Sequence, residues 1–139
     1  MHQRWTRHPH GIAAALTILD QLSTASDGPT ASQPRVLIVL GRASSATVVE
    51  AFASVGTEQR FTNAVAEIAL GDGASLEHYR IVEEGRNAFH VEMTEVHEGR
   101  DSVYTSMSVN AGAAIGRNDL RVRLAGQGAS CTLNGVSIS

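Results

Sequence analysis

The chain has 139 residues, which suit one domain and are too few for two of ordinary size. Eleven basic residues, all arginine, against 14 acidic residues leave a net charge of −3, so the overall balance favours neither a nucleic-acid nor an anionic-membrane partner. Apolar residues reach 42% but aromatic residues only 4%, which predicts a thin, aliphatic core.

The sequence contains no signal for membrane insertion or disulfide formation. No stretch approaches the roughly 20 apolar residues that a membrane-spanning helix needs. An apolar run at residues 11–19 follows two arginines as a secretion signal would, but Asp20 interrupts it. The single cysteine, Cys131, excludes an internal disulfide framework and any multi-cysteine metal site within one chain. We therefore expect a protein of a reducing compartment, the cytoplasm.

A run of loop-forming residues at positions 23–34 divides the chain. Before it, apolar residues fit one face of a helix, but Ile18, Asp20 and Leu22 alternate as a short strand would, and both interpretations stay open. We predict an N-terminal arm and Ser/Pro-rich linker over residues 1–33 and a core unit over residues 34–139.

From residue 34 onward the hydrophobic pattern has a period of two, which is typical of strands. On one segment Leu76, His78, Arg80 and Val82 share a face, and Glu77, Tyr79 and Ile81 share the other. The alternation recurs in four further segments of strand length, at residues 36–40, 64–70, 103–109 and 120–124. The core unit is therefore predicted to be all-β.

A turn-like pattern occurs three times: Gly, any residue, a small residue, a small polar residue and then an apolar residue. Aligning Gly73, Gly99 and Gly128 gives spacings of 26 and 29 residues. Periods of this length are typical of solenoids, in which each repeat stacks on its neighbours. Glycine permits the positive φ of a sharp corner, and a small residue fits inside the bend. The pattern favours a parallel β-helix, with an antiparallel β-sandwich as the alternative.

Seven blocks of the core unit match a known family in sequence, order and approximate spacing over residues 34–139. They are Pro34–Val39, Ala46–Glu50, Phe61–Ile68, Gly73–Tyr79, Gly99–Ser102, Gly116–Asp119 and Leu124–Gly135. Together these blocks resemble the SufB/SufD family of iron–sulfur cluster assembly scaffolds, and their sequences are more similar to SufD than to SufB.

The resemblance implies a right-handed parallel β-helix and a scaffold without catalysis of its own. In the family, SufD pairs with SufB, and both sit on the ATPase SufC. The cysteine and histidine proposed to face the cluster lie further along the family's solenoid than this chain extends, and its helical terminal parts also have no counterpart here. We therefore expect an incomplete β-helix core that binds no cofactor alone and has no catalytic, cofactor or metal residues to assign. We also expect exposed strand edges at its last coil, which favour self-association through the β-helix ends.

The histidines invite a metal-binding interpretation, but the sequence favours simpler ones. A polar terminus explains His2, His8 and His10. His78, His90 and His97 are interpreted as surface-facing residues of strands on different coils. The alternative is a carboxylate–imidazole ladder on an outward face, formed by His90 with Glu92 and by Glu95 with His97.

Other candidate residues also fit structural roles better than catalytic ones. Cys131, which alternates with Leu133, is predicted to be a small buried residue. Gly71-Asp72-Gly73 and Gly126-Gln127-Gly128 lack the residues of a phosphate-binding loop. No serine-hydrolase motif surrounds Ser44, Ser45 or Ser106. Three arginines beside Asp119 are expected to form ion pairs across rungs or a protein contact: Arg117, Arg121 and Arg123.

Two further functions remain open. A β-solenoid enzyme acting on polysaccharide would need two carboxylates that converge across neighbouring coils. The residues that could supply them are Glu92, Glu95, Glu98 and Asp101. The other alternative is an incomplete chain with no independent function.

Overall fold

A computed structural model describes residues 14–23, 28–54 and 56–138, with the backbone alone for residues 14–23. These residues form ten strands, and no helix occurs among them. The strands are β1 (Ala14–Ser23), β2 (Thr30–Ser32), β3 (Arg35–Leu40), β4 (Ser45–Ser54), β5 (Arg60–Leu70), β6 (Ser75–Glu84), β7 (Ala88–Glu98), β8 (Val103–Gly112), β9 (Ile115–Leu124) and β10 (Ser130–Ile138). No helix in the described residues is long and apolar enough to span a membrane.

The strands form two parallel sheets that alternate along the chain. Sheet A has the order β1-β4-β6-β8-β10, and sheet B has the order β2-β5-β7-β9, with β3 also paired to β5. Each pair of successive strands, such as β6 and β7, makes one coil that contributes a rung to each sheet. The result is a β-solenoid of about four turns, which confirms the predicted parallel β-helix and contradicts the antiparallel sandwich.

Every coil turns from sheet B to sheet A through a corner of four residues, or of five in the last coil, and the second-to-last residue of each corner has a positive φ. This angle is 53° at Ala43, 67° at Gly73, 53° at Asp101 and 76° at Gly128. The equivalent positions are therefore 30, 28 and 27 residues apart. The predicted alignment was wrong in its middle copy, because Gly99 is the first residue of its corner and Asp101 occupies the left-handed position that favours glycine.

The first position of the corner is glycine for a different reason. Gly71 N–H donates to the Leu40 carbonyl oxygen at 2.9 Å, and Gly99 N–H donates to the Leu70 carbonyl oxygen at 2.8 Å. A Cβ added to Gly71 would lie 2.9 Å from the backbone nitrogen of Arg42 in the preceding corner. Close stacking of successive backbones therefore excludes a side chain here.

Beside these corners, the inward side chains of both sheets form a cluster that we call the apolar cluster. Leu76 at its centre is fully buried between Ala46 of β4 and Tyr104 of β8 in the ladder of inward positions. The full set of buried members is Ile38, Leu40, Val48, Ile68, Leu70, Ala74, Leu76, Val96 and Tyr104. Apart from Tyr104 this cluster is aliphatic, as predicted. A second, smaller cluster at the opposite corner consists of Phe52, Ala64 and Val82.

The structure also resolves the open question about the N-terminal arm. Residues 14–23 are a strand, β1, which pairs in parallel with β4 of sheet A. Strand β2 lies at the start of sheet B and pairs with β5. At the other end, β9 and β10 are the last strands of their sheets, so each has one unpaired edge within the described residues.

Candidate functional site: the polar layer inside the solenoid

Between the two apolar clusters, the interior of the solenoid holds a layer of polar and charged side chains, here called the polar layer. They occupy inward positions because strand residues alternate between faces, and on β6 the polar His78 and Arg80 are in phase with the apolar Leu76 and Val82. All members are less than 8% exposed. They are Glu50, Thr62, His78, Arg80, Glu84, His90, Glu92, Thr94, Tyr104 and Ser106.

One group in this layer is centred on His78. Its Nε2 atom lies 2.6 Å from Glu50 Oε2, and its Nδ1 atom lies 3.0 Å from the Tyr104 hydroxyl oxygen. An ionised carboxylate only accepts hydrogen bonds, so with Glu50 ionised the imidazole Nε2–H is the donor in that contact. Burial raises the pKa of Tyr104 to about 12, against the opposing effects of Ser106 and Arg80. Tyr104 therefore stays protonated at neutral pH.

A second group joins β6, β7 and the start of β5. Arg80 Nη2 is paired with Glu92 Oε2, and His90 Nε2 lies 3.3 Å from the same carboxylate oxygen. On its other side, His90 Nδ1 lies 3.4 Å from Glu84 Oε2. Thr62 Oγ1 donates to the second oxygen of Glu84 at 2.9 Å. The group thus alternates cations and anions across the interior of one coil, and Thr62 joins it from the preceding coil.

The electrostatics of this second group favour its charged forms. Burial alone would lower the pKa of His90, but hydrogen bonds and charge attraction from Glu84 and Glu92 outweigh it and raise that pKa from 6.5 to about 9. Burial alone would raise the pKa of Glu92, but His90 and Arg80 outweigh it and lower that pKa. Two cations therefore balance two carboxylates, as buried charges require.

Some polar atoms of the layer lack a hydrogen bond. Arg80 Nε and Nη1 are buried without a hydrogen-bond partner, and the His90 Nδ1 and Glu84 Oε2 atoms do not meet hydrogen-bond geometry at their 3.4 Å separation. Each such donor or acceptor costs free energy when it is buried. The layer can hold protons and align coils, but its side chains do not reach solvent, where a substrate would approach.

The structure corrects the prediction for the histidines. His78, His90 and His97 lie on β6 and β7, which form one coil, and the first two point inward instead of toward solvent. The ladder of His90 with Glu92 exists, but inside the solenoid. Only Glu95 and His97 form an outward pair, 3.9 Å apart and about half exposed. His2, His8 and His10 lie outside the described residues.

The remaining candidates have structural surroundings. Cys131 is partly buried and packs against the apolar cluster, which agrees with the predicted role except that its burial is incomplete. Arg117 Nη2 pairs with Asp119 Oδ2 at 2.9 Å on the same exposed strand, not across rungs as expected. Within the residues that the structure describes, no group of three or more histidine, cysteine or acidic side chains is placed to hold a metal ion.

The carboxylates suggested for a polysaccharide enzyme do not converge across neighbouring coils. All four lie on β7 or in the corner that follows it. Glu92 and Glu98 are buried inside, whereas Glu95 is exposed on the outer face. Burial raises the pKa of Glu98, against a hydrogen bond from Ser102. Of the serines, Ser106 is buried and the Ser44 hydroxyl donates to the Gly41 carbonyl in a corner.

Comparison with known proteins identifies the family of this solenoid. The family model described as "SUF system FeS cluster assembly, SufBD core domain" matches residues 22–139. An iron–sulfur cluster assembly SufBD family protein of Synechocystis sp. is 29% identical over 109 residues, which cover 73% of this chain and 24% of that relative. The chain therefore spans about a quarter of the relative's length. No solved structure matches it. Because the family model matches residues 22–139, which is well over half of the chain, this parallel β-solenoid belongs to the SufBD core family of the SUF iron–sulfur cluster assembly system.

Proposed function

We propose that the chain is part of a non-catalytic scaffold subunit of the SUF assembly complex, of the SufD type, which acts with a SufB-like partner and a SufC-like ATPase. The observation that carries this proposal is the match of residues 22–139 to the SufBD core domain. An iron–sulfur cluster would be the cargo of the whole complex, and no residue of this chain is assigned to bind it. The single cysteine favours action in the reducing cytoplasm.

The apolar side chains of β9 and β10 support association with a partner protein. Strand β9 pairs with β7, and strand β10 pairs with β8. Leu124 of β9 and Leu133 of β10 are 53% and 49% exposed. Exposed apolar side chains on neighbouring strands favour an interaction surface. We propose that the SufB-like partner engages β9 and β10.

A pull-down with separately purified SufB and SufC from one organism tests the proposal. The full 139-residue chain, shown to be folded by circular dichroism, should retain SufB, and SufC should appear in the retained complex. Leu133→Lys, which places a charge among these apolar side chains, should reduce SufB retention at least tenfold. The matched control is Val39→Lys, a substitution at an exposed position of β3 near the opposite end.

The outcomes separate the proposals. Absence of SufB binding by the folded chain would contradict the scaffold role. Equal losses from Leu133→Lys and Val39→Lys would contradict the assignment of β9 and β10 as the binding surface. Binding to SufD in place of SufB would contradict the SufD-type assignment. The remaining alternative, an incomplete chain with no independent function, predicts that neither protein is retained.

A further inference from the structure

Among the side chains that the structure describes, those on the outer face of sheet A are almost free of charge. At the outward positions of β6, two apolar residues, Tyr79 and Ile81, lie between two glutamates, Glu77 and Glu83. Tyr79 and Ile81 are 39% and 41% exposed. No other outward position on β4, β6, β8 or β10 carries a charged side chain.

The apolar residues of β6 continue onto the neighbouring strand. In the parallel register, Tyr79 lies beside Met107 and Ile81 lies beside Val109. We call these four residues the apolar strip. The strip extends over two strands that lie about 4.8 Å apart. One α-helix, with a diameter of about 10 Å, is wide enough to cover both strands. Contiguous exposed apolar surface of this kind is more often covered by an interaction partner than left in contact with water.

The two glutamates indicate the charge of the occupant. Neither Glu77 nor Glu83 forms an ion pair within the described residues, and Glu77 accepts only a hydrogen bond from Thr47 at 3.3 Å. They are six residues apart on one strand, which corresponds to about 20 Å. That distance equals about 13 residues of α-helix at 1.5 Å per residue. A helix with basic residues near both ends would therefore meet both carboxylates while its apolar side covers the strip.

From the uncharged strip and its two acidic ends we infer that the outer face of sheet A is a docking surface for an amphipathic α-helix of a partner protein, with arginine or lysine residues about 13 positions apart. This inference does not depend on the proposed scaffold role. A second copy of the chain fits poorly, because two such faces in contact would bring four carboxylates together without a cation. Sheet B is different, since its outer face mixes Glu67 and Glu95 with the arginines of β9.

Fluorescence anisotropy with two synthetic peptides of about 16 residues tests the inference on the full chain. Both carry the same leucine stripe, one with arginines 13 positions apart and one with glutamates at those positions. The arginine peptide should bind saturably and at least tenfold more tightly than the glutamate peptide, because like charges repel across an interface. Its binding should weaken with added salt.

Variants on the two faces supply matched controls. Glu77→Gln combined with Glu83→Gln should weaken the arginine peptide about fivefold, whereas Glu67→Gln combined with Glu95→Gln on sheet B should change it less than twofold. Ile81→Ser should weaken both peptides, and Ile115→Ser on sheet B should weaken neither. All six positions are exposed in the structure, so folding is expected to survive and circular dichroism checks it.

Three results would overturn the inference: no saturable binding of the arginine peptide, equal affinity for both peptides, or equal effects from the sheet A and sheet B variants. Sedimentation analysis adds a fourth. A dimer of the free chain that dissociates in Ile81→Ser would show that a second copy, not a partner helix, covers this face.

Discussion

The apolar cluster and the polar layer lie side by side in the same narrow interior, but they contribute to the fold in different ways. In the apolar cluster, Leu76 gains free energy simply by leaving water, and any aliphatic residue of similar volume would gain most of it. In the polar layer, Arg80 gains only if Glu92 lies opposite it, since burial of an unpaired charge is costly. The first region favours compactness, and the second favours one particular register of coils.

The largest expected effect comes from breaking the charged pair of the polar layer. Arg80→Met removes one of the two cations beside Glu92 and leaves Glu84 and Glu92 with His90 as their only charged partner, so the free energy of unfolding should fall by about 3–5 kcal/mol. Urea denaturation followed by circular dichroism measures the change.

Two controls make this test specific. Arg117→Met breaks an exposed ion pair with Asp119 and should cost at most about 1 kcal/mol. Arg80→Met combined with Glu92→Leu removes both charges and should recover most of the lost stability. If the double variant is no more stable than Arg80→Met alone, charge imbalance is not the reason for the loss.

The apolar cluster should respond to a change of volume. Leu76→Ala removes a fully buried side chain at the centre of the cluster and should lower the free energy of unfolding by about 2–5 kcal/mol. Leu37→Ala, at a position that is 63% exposed, is the matched control and should cost under about 1 kcal/mol. Similar costs at both positions would contradict the location of the core. Leu76→Met should cost less than about 1.5 kcal/mol.

The corners that join the two sheets can be tested with a pair of equivalent glycines. Gly71→Ala places a methyl group against the backbone of the preceding corner and should destabilise the fold by about 1–3 kcal/mol. Gly41 has the same place in the first corner, where an added Cβ meets nothing within 4 Å, so Gly41→Ala should be neutral or slightly stabilising. Thermal unfolding of the two variants should separate them clearly, and equal melting temperatures would contradict the close stacking.

A change of pH distinguishes the two regions, because the polar layer titrates and the aliphatic side chains of the apolar cluster do not. The pKa of His90 is raised to about 9 in the folded chain, so its contribution is complete below pH 6.5 and is lost as pH rises through 9. The lowered pKa of Glu92 gives a contribution that is present above about pH 4.5 and is lost at lower pH.

Urea titrations from pH 4 to pH 10 measure this dependence. His90→Gln should flatten the alkaline decline, whereas His97→Gln, which changes an exposed side chain, should leave it unchanged. An unaltered alkaline decline in His90→Gln would assign the titration to another group.

The solenoid could be predicted from the sequence because the patterns that indicate its strands and its corners each lie within a few consecutive residues. Alternation within a strand, as in residues 76–82, depends on the backbone alone, and the corner pattern depends on a few small residues. The alignment of corners failed where Asp101 replaces glycine, since a chemical pattern cannot show that a non-glycine residue has a positive φ. The resemblance to the SufB/SufD family added what composition could not, and the family match confirmed it.

The polar layer was harder to predict for a physical reason. His78 and Arg80 were correctly assigned to the face of Leu76 and Val82, but polarity alone made the surface seem the natural place for the histidines. Their burial is stable only because Glu50 and Glu92 come from other strands, and the pairing of those strands depends on the three-dimensional register. The alternation along β6 was the signal that could have found them. A charged residue at the same alternating positions as buried aliphatic residues is either buried itself or shows that the assumed strand register is wrong.

The nearly constant spacing of the corners has a consequence for folding. From β4 onward, each new rung of sheet A pairs with the previous one across 30, 28 or 27 residues, so every added coil closes a chain loop of about the same length. The entropic barrier is then met mainly once, when the first two coils join, and later coils add onto a surface that already exists. Folding should therefore proceed like crystal growth, from a rare nucleus of two coils and by successive addition at its ends.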